Sequence, residues 1–440
     1  MAIELIPFYS ALHPEFDLEK GHRELFSALR AEHEVRLGEP APPVSGVTQE
    51  GATKGRAADV PVARGRHTDV RSGDRPADLQ VAFIASGGTE QQFVDAFPRL
   101  PRPVYLLTDG KHNSFAASLE IAAWVRRQGE HCEILHGDFR EISKRLSDLA
   151  SVAEAEAALG QARFGFVGAP SDWLIASSVD RRELADRFGP AAEDVALEEL
   201  YARIDAVAPD EARRVAGRLI ERSGDVVEPD TEALEQASAI YLGLKRLVEE
   251  KGLTALTLRC FDLVTRYRNT GCVALALLND EGVMAGCEGD QQALFTVVVA
   301  HVLTGEVPFL ANPAALDVPG NAVEVAHCMV PTALVRGFRL RSHFETGVGV
   351  AIDGQWEGDE VTICRIGGEN LSLGWASEAV VESAPYSEDR CRTQLRLRLE
   401  EDVRYFLEVA PANHHVIVRG RWAARFRTFF EHRQIRDAWA

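Results

Sequence analysis

The chain has 440 residues, of which 46% are hydrophobic and 26% are charged, so it is long enough for two or three globular domains. Its formal net charge is −19 and it has no basic cluster, which argues against binding to nucleic acid or to anionic membranes. No run of 18 apolar residues and no signal-peptide pattern occurs, so we expect a cytoplasmic protein without a membrane span.

The first elements in chain order are a strand at residues 3–8 and a helix at about residues 18–34. From residue 37 to 77 the hydrophobic periodicity disappears, and Pro, Gly, Ser, Thr and Arg dominate the composition. This texture predicts a long loop or a disordered insertion.

Buried strands and helices then alternate between residues 79 and 135. The strands are predicted at residues 79–86, 104–108 and 132–135, with a helix at residues 115–128. This alternation is typical of a doubly wound parallel sheet, in which ligands bind beyond the carboxyl ends of the strands. Candidate substrate contacts at those ends are Thr89, Glu90 and Asn113. The alternative for each of them is ordinary turn or helix-cap chemistry.

A second strand and helix series follows a predicted helix at residues 143–159. A strand begins near residue 164, and the loop behind it carries Trp173, which is a candidate lid or hinge contact. Arg259 lies near the end of a later buried strand and is another candidate substrate contact. The remaining elements predicted here are a short strand at 195–198, helices at 209–222, 229–251, 272–280 and 291–304, and strands at 255–262 and 309–312.

The last third of the chain alternates between apolar and polar residues, which is typical of short strands separated by turns. The alternating segments are residues 322–328, 348–352, 360–366, 392–399 and 416–420, followed by a helix at 422–434. The pattern predicts an antiparallel, barrel-like domain. The predicted organisation is therefore two doubly wound Rossmann-like α/β domains, 1–162 and 163–306, and a C-terminal β-barrel-like domain, 307–440.

The seven cysteines are scattered and form no CxxC motif, which argues against a zinc site built from thiolates. Buried, reduced thiols are the best account of them. Cys287 differs from the others because it is next to Glu288, although no adjacent cation is present to activate it as a nucleophile.

Glu288 and Asp290 precede the apolar helix predicted at residues 291–304 and form the core of a candidate metal site. One interpretation is structural, with Asp290 as the helix N-cap and Glu288 solvated. The other adds His327 and one of the adjacent pair His414 and His415, since only one of two neighbouring strand residues can face inward. Carboxylate and imidazole ligands suit Mn²⁺, Co²⁺ or Zn²⁺ better than Ca²⁺. Taken alone, His327 would be interpreted as an ordinary buried core histidine.

A competing set is His343 with Glu345, which lie on the same side of one predicted strand. Both are also candidate substrate contacts.

The chain resembles the L-fucose isomerase and L-arabinose isomerase superfamily, in a fucose-isomerase-like branch. The residues that carry the resemblance are Glu288-Gly-Asp290, Leu303-Thr-Gly305, Phe309-Leu-Ala311, Ala326-His327 and Asn413-His-His415. The resemblance implies two α/β domains followed by a barrel, and a homo-oligomer with active sites near its subunit interfaces. It also implies a small sugar-like substrate and a Mn²⁺ ion held by two carboxylates and histidine, with the carboxylates moving a proton through an enediol.

Under this resemblance, Glu288 matches the first carboxylate, His327 the histidine of the arabinose type, and the segment 413–415 the late histidine. Asn312 stands where the second carboxylate is expected. An amide can bind a metal through its oxygen, but it cannot accept a proton at neutral pH. Asp290 or Glu345 is the candidate replacement.

The leading hypothesis is a metal-dependent aldose–ketose isomerase with Glu288, Asn312 and Asp290 in the catalytic centre. One alternative keeps the fold and metal but epimerises, dehydrates or cleaves a related substrate. The other is a non-catalytic sugar-binding protein.

Overall fold

The computed structural model describes residues 2–10, 17–39, 78–383 and 386–439. The predicted insertion at 37–77 lies outside the described residues from residue 40 onward. The chain divides into two compact units, Met1–Glu154 and Ala155–Ala440. The finer division at residues 162 and 306 stays a prediction.

The first unit is built on a parallel sheet with strand order β2-β1-β3-β4-β5. Its strands are β1 Ala2–Phe8, β2 Glu34–Leu37, β3 Leu79–Ile84, β4 Val104–Leu107 and β5 Cys132–Leu135. Its helices are α1 Leu18–Gly21, α2 Arg23–Glu32, α3 Glu90–Ala96, α4 Ser114–Arg127 and α5 Phe139–Gly160, the last running into the second unit.

Alternate residues of β3 enter two separate cores. Val81 and Phe83 pack into one apolar cluster, and Ala82 and Ile84 into the other. Burial on both faces explains why residues 81–84 of this strand are all apolar, as expected for a doubly wound parallel sheet.

The predicted helix at 18–34 is wrong in one respect, because the structure breaks it at His22 into α1 and α2. The edge strand β2, Glu34–Leu37, follows directly, so residue 34 at the predicted end of the helix belongs to a strand instead. This strand is short and half charged, so its sequence carries little strand signal.

The second unit contains a parallel sheet and a larger antiparallel sheet. Its strands are β6 Arg163–Val167, β7 Ala191–Val195, β8 Asp225–Val226, β9 Ala255–Leu258, β10 Met284–Gly286, β11 Phe309–Asp317, β12 Ala322–His327, β13 Val335–Arg341, β14 Ala351–Trp356, β15 Glu360–Gly367, β16 Leu373–Ser383, β17 Thr393–Leu399, β18 His415–Arg419 and β19 Arg436–Asp437. Its helices are α6 Arg181–Phe188, α7 Leu197–Asp205, α8 Pro209–Arg222, α9 Thr231–Lys251, α10 Phe261–Tyr267, α11 Cys272–Asp280, α12 Gln291–Thr304, α13 Tyr405–Glu408 and α14 Ala423–His432.

The parallel sheet has the order β10-β9-β6-β7. The strand predicted at 195–198 is misplaced, since β7 ends at Val195 and α7 begins at Leu197. As an edge strand, β7 carries polar residues that hide it from a reading of hydrophobic periodicity.

The antiparallel sheet has the order β15-β18-β11-β12-β17-β16-β19, and a further pairing of β15 with β16 closes six of its strands into a ring. This arrangement agrees with the predicted antiparallel, barrel-like character of the last third. The strands β13 and β16 were missed by the sequence analysis. A separate small sheet joins β14, β13 and β8.

Helix α12 lies between the two larger sheets of this unit. It packs against β10 on one side and against β15 and β18 on the other, so it is apolar around its whole circumference. Its N-terminus is therefore fixed at the point where the two sheets meet. Within the part of the chain that is described, no helix is both long and apolar enough to cross a membrane.

The loop between β10 and α12 depends on Gly289, whose φ is +73°. A Cβ atom there would lie 2.7 Å from the Ala169 carbonyl oxygen and 2.8 Å from the Pro170 Cα. We expect Gly289→Ala to lower the free energy of unfolding by roughly 2–4 kcal/mol, because a left-handed backbone and a clash with backbone atoms add together.

Gly305→Ala is the matched control for chemical denaturation. Gly305 has a φ of +72° and no heavy atom within 4 Å of an added Cβ, so only the backbone cost of about 1 kcal/mol should remain. Equal losses in the two variants would contradict the predicted clash.

Candidate metal and sugar site

The carboxyl ends of three adjacent parallel strands supply one wall of the candidate site. Trp173 lies in the loop after β6, Cys260 follows β9, and Glu288 follows β10. Since β6 pairs with β9 and β9 with β10, these loops are necessarily neighbours. This is the edge at which parallel sheets bind ligands.

Three neighbouring antiparallel strands supply the opposite wall. Asn312 on β11 is paired with Ala326 on β12, directly before His327. On the other side of β11, Ala311 is paired with His415, the first residue of β18. Asn413 and His414 directly precede this strand. The Asn413 side-chain amide donates a hydrogen bond to Asn312 Oδ1 at 3.1 Å. The register of the sheet thus brings residues about a hundred positions apart into one group.

Between the two walls lies a cavity of about 620 Å³, a size suited to a small organic ligand. Its lining combines aromatic, thiol, amide and charged side chains. The lining residues with polar or aromatic side chains are Trp173, Cys260, Phe261, Thr270, Cys272, Cys287, Glu288, Asn312, His327, Cys328, His343, Phe344, Glu345, Asp389, Arg390, Cys391 and Asn413.

Glu288 is held in an unusual conformation at this cavity. Its φ is +62°, a left-handed value that costs a non-glycine residue about 1 kcal/mol. Its side chain is only 12% exposed, and the Trp173 indole N–H donates a 2.6 Å hydrogen bond to Oε2. The idea of a solvated Glu288 is therefore wrong.

Electrostatics keep Glu288 ionised despite its burial. Burial by itself raises the pKa of this carboxyl, but His414 and the Trp173 hydrogen bond outweigh that effect and lower the pKa to about 2. His414 Nε2 lies 3.6 Å from Glu288 Oε1. A carboxylate so acidic is well suited to hold a cation and poorly suited to accept a proton at neutral pH.

Asp290 caps α12 and also positions His414. Its Oδ1 accepts a 2.7 Å hydrogen bond from the Ala293 N–H, and its Oδ2 lies 2.9 Å from His414 Nδ1. The predicted cap is thus present, but Asp290 is completely buried and lies behind the cavity lining.

Burial opposes the charge on His414, yet the two carboxylates, Asp290 and Glu288, raise its pKa to about 9. Burial also opposes the charge on Asp290, but the pKa of this carboxyl is lowered by Arg365, whose Nη2 is 3.7 Å from Oδ1, and by His414.

His327 is a buried histidine whose ring nitrogens are available to bind a ligand. It is 3% exposed and lines the cavity, and neither ring nitrogen has a hydrogen-bond partner among the described residues. Burial and the nearby His414 lower its pKa to about 4, so the imidazole is neutral and able to ligate a metal.

The donor atoms present fit a divalent metal ion. One atom each of Cys287, Glu288 and His327 lie within 4.8 Å of one another. His414 Nε2 likewise has no hydrogen-bond partner among the described residues, while its Nδ1 contacts Asp290. A histidine anchored by a carboxylate through one nitrogen and open at the other is the usual arrangement of a metal-bound imidazole.

Other residues from the sequence analysis lie elsewhere. His415 is buried on the face opposite His414, where its Nε2 lies 3.1 Å from the Tyr405 hydroxyl. Burial lowers the pKa of His415 to about 3. Arg259 is not among the lining residues and instead donates hydrogen bonds to Pro170, Asp172 and Asp262.

Thr89, Glu90 and Asn113 belong to the first unit, beyond the ends of β3 and β4. The Thr89 hydroxyl donates to the Ser86 carbonyl, and Asn113 has a left-handed φ of +58°. Thr89 and Asn113 occupy the N-cap positions of α3 and α4, and neither side chain makes a capping hydrogen bond. A role in binding substrate stays a prediction for all three residues.

Sequence reasoning missed two components of the site. Arg365 is completely buried beside Asp290, and no local pattern distinguishes it from other arginines on alternating strands. The cysteines of the cavity were interpreted as separate core residues, although Cys260 and Cys287 Sγ atoms are 3.1 Å apart. Cys260 follows β9 and Cys287 follows β10, and these two strands are neighbours in the parallel sheet. Predicting that pairing would have been the way to place the two cysteines together.

Comparison with known proteins finds a partial similarity to a sugar isomerase. No family model matches the chain. The chain is similar to the sulfoquinovose isomerase of Clostridium sp. (strain MSTE9), with 25% identity over 194 residues. The match spans 42% of this chain and 43% of that protein, less than half of either.

The pKa shifts predict how stability of the metal-free protein depends on pH. Because the pKa of His414 is raised from 6.5 to about 9, the stabilisation that this residue gives the folded state is complete below pH 6.5. It is lost as the pH rises through 9. The pKa of Glu288 is lowered from 4.5 to about 2, so its contribution is complete above pH 4.5 and is lost toward pH 2.

We therefore expect the free energy of unfolding of the metal-free protein, measured in urea, to fall by roughly 3 kcal/mol between pH 6.5 and pH 9.5. The cause is that the pKa of His414 is raised from 6.5 to about 9 in the folded state. Glu288→Gln is the control, because removing one partner should reduce this loss. Identical pH profiles for the two proteins would contradict the assignment.

Proposed function

We propose that this protein is a metal-dependent aldose–ketose isomerase that converts a sugar or sugar derivative through an enediol. The observation that carries the proposal is a cavity lined by ionised Glu288 and by His327, whose two ring nitrogens have no hydrogen-bond partner among the described residues. His414 lies beside this pair, with Nε2 3.6 Å from Glu288 Oε1. Similarity to a sulfoquinovose isomerase supports the class of reaction and a sugar substrate.

Glu288, His327 and His414 would hold the metal, which the resemblance implies to be Mn²⁺. When bound, such a metal ion supplies Lewis acidity that polarises a carbonyl group. In the metal-free protein the protonated His414 ring lies between two carboxylates, with Nδ1 facing Asp290 and the Nε2 proton facing Glu288. Coordination through Nε2 requires this proton to leave, so the metal ion and the proton compete for the same place.

The walls of the cavity provide contacts for a hydroxylated ring. Asn312 and Asn413 offer amide groups, and their mutual hydrogen bond fixes the orientation of both. Trp173 packs edge-on against Phe261 with ring centroids 5.0 Å apart, and Phe261 packs in the same way against His343. We assign this aromatic row and the two amides to binding and orienting the sugar.

Isomerisation moves a proton between adjacent carbons and needs a carboxylate or similar base. The low pKa of Glu288 makes it a weak base, and Asn312 cannot accept a proton. The other carboxylates of the cavity lining are Glu345 and Asp389. The strand predicted for His343 and Glu345 is wrong, because both lie in the turn segment between β13 and β14. We assign the proton transfer to Glu345, because it lines the cavity two residues after His343, the last ring of the aromatic row.

Asn312 is also the observation that favours a second candidate. With an amide where the resemblance expects a carboxylate, the same metal site could epimerise or dehydrate a hydroxylated substrate.

The resemblance also implies an oligomer, and we propose a homo-oligomer with active sites near its interfaces.

The reaction is tested by incubating the protein with Mn²⁺, Co²⁺ or Zn²⁺ and a panel of pentoses, 6-deoxyhexoses and sulfoquinovose in D₂O. Ketose formation with deuterium at C1 of the ketose and, through the reverse reaction, at C2 of the aldose, followed by NMR, is the expected result. Inversion at the labelled carbon without ketose would establish the epimerase alternative. If the metal-loaded protein changed none of these sugars, the isomerase proposal would be refuted.

The division of roles is tested with Glu345→Gln. We expect this variant to lose at least about a hundredfold in kcat while its metal affinity is unchanged, because general base catalysis contributes about 10²–10⁴ in rate. Asp389→Asn is the matched control and should retain activity. Reversed results for the two variants would transfer the proton-carrying role to Asp389.

Metal affinity should increase with pH below about 9, the pKa of His414. Coordination by His414 displaces one proton from this histidine, so the apparent Kd should fall by at least about tenfold for each pH unit. Isothermal titration calorimetry in two buffers of different ionisation enthalpy measures both the affinity and the protons released. A Kd that did not vary between pH 6.5 and 8.5 would exclude His414 as a ligand.

A further inference from the structure

Five of the seven cysteines line the cavity of the candidate site, namely Cys260, Cys272, Cys287, Cys328 and Cys391. Of these, Cys287 occupies a special position, because it directly precedes Glu288 and is 3% exposed. Its sulfur, a Glu288 carboxylate oxygen and a His327 ring nitrogen lie within 4.8 Å of one another. A single ion can therefore be shared among three different kinds of ligand atom.

We propose that Cys287 binds the metal as a thiolate, which makes this a site for a borderline-soft ion such as Zn²⁺ or Co²⁺ rather than for Mn²⁺. The inference rests on the proposed metal-dependent function and changes the metal that the resemblance implies. Thiolate sulfur favours Zn²⁺ and Co²⁺, whereas Mn²⁺ is best served by carboxylate, carbonyl and water oxygens.

The charge of the site supports this assignment. Asn312 is neutral where the resemblance expects a second carboxylate, so Glu288 alone does not neutralise a divalent ion. A Cys287 thiolate supplies the missing negative charge from the residue next to Glu288. In the binding step the S–H bond breaks, a sulfur–metal bond forms, and the proton passes to solvent without any change of oxidation state.

The structure also supplies a partner for the thiolate. Cys260 Sγ lies 3.1 Å from Cys287 Sγ, so the Cys260 thiol can donate a hydrogen bond to it. The contact follows from the pairing of β9 with β10, in which Thr257 is opposite Gly286. The Thr257 hydroxyl additionally donates to the Cys287 carbonyl at 3.4 Å, which fixes the backbone. Such support behind a ligand is typical of metal sites and makes Cys260 a positioning residue.

Cobalt spectroscopy tests the proposal without measuring activity. Titration of the metal-stripped protein with Co²⁺ should give visible d–d bands together with a near-ultraviolet thiolate-to-cobalt charge-transfer band. Cys287→Ser should lose the charge-transfer band and keep d–d bands from the nitrogen and oxygen ligands. Cys391→Ser, which removes another cavity thiol, should keep both, and Cys260→Ser should keep the band at a shifted energy.

The outcomes separate this inference from the proposed function. Cobalt binding without a charge-transfer band in the unaltered protein would overturn the thiolate ligand and leave the metal-dependent function intact. The absence of any cobalt binding would overturn both. A charge-transfer band that persisted in Cys287→Ser would assign the thiolate to another cysteine.

A second measurement needs no variant and so does not depend on the folding of Cys287→Ser. X-ray absorption at the zinc edge of the zinc-loaded protein should show one sulfur scatterer at about 2.3 Å. A shell of only nitrogen and oxygen would contradict the proposal. In competition, the unaltered protein should prefer Co²⁺ to Mn²⁺ by at least about a hundredfold, and Cys287→Ser should reduce this ratio by about tenfold or more.

Discussion

The site depends on one buried electrostatic arrangement, in which the His414 imidazolium is held between Asp290 and Glu288. Asp290 lies 2.9 Å from one ring nitrogen and Glu288 lies 3.6 Å from the other. Arg365, also completely buried, lies 3.7 Å from Asp290 and brings the count to two positive and two negative charges. Removing any one of these charges would leave its partners buried without compensation, which is far more costly than exposing them at a surface.

This arrangement links the fold to the site. Asp290 is at once the N-cap of α12 and the anchor of His414, so the helix that joins two sheets of the second unit also sets the geometry of the imidazole. Glu288 is held in a left-handed conformation two residues earlier. Strain of this kind persists only where the surroundings determine the backbone fully, and it is common at functional sites. Contacts with both neighbouring sheets therefore fix the conformation of this loop.

The residues around Asn312 can supply the functions that an amide at this position lacks. An amide at Asn312 removes a negative charge and a proton acceptor from the cavity wall. The neighbouring thiols, the carboxylates and the His327 imidazole offer other ways to provide each function. Our proposals distribute the two roles of the expected carboxylate, with charge compensation assigned to Cys287 and proton transfer to Glu345. They leave Asn312 as a neutral contact oriented by Asn413.

The sequence determined the elements whose signal is local. Helices at 209–222, 272–280 and 291–304 and the strand at 132–135 were predicted with the bounds that the structure shows, because their hydrophobic runs and caps lie within the elements themselves. The strands β7 and β16 were misplaced or missed, since edge position and pairing with distant strands override short-range pattern. The sequence also singled out Glu288, His327 and the pair His414–His415.

Only the tertiary structure decided what these residues do. It places His414 beside Glu288 and His415 against Tyr405, because adjacent side chains of an extended chain point to opposite faces and the register of β18 fixes which face is which. It also brings in Arg365 and aligns Cys260 with Cys287, which no pattern in the chain could indicate. Hydrophobic periodicity is encoded within one segment, whereas charge compensation and ligand geometry arise between segments that meet only on folding.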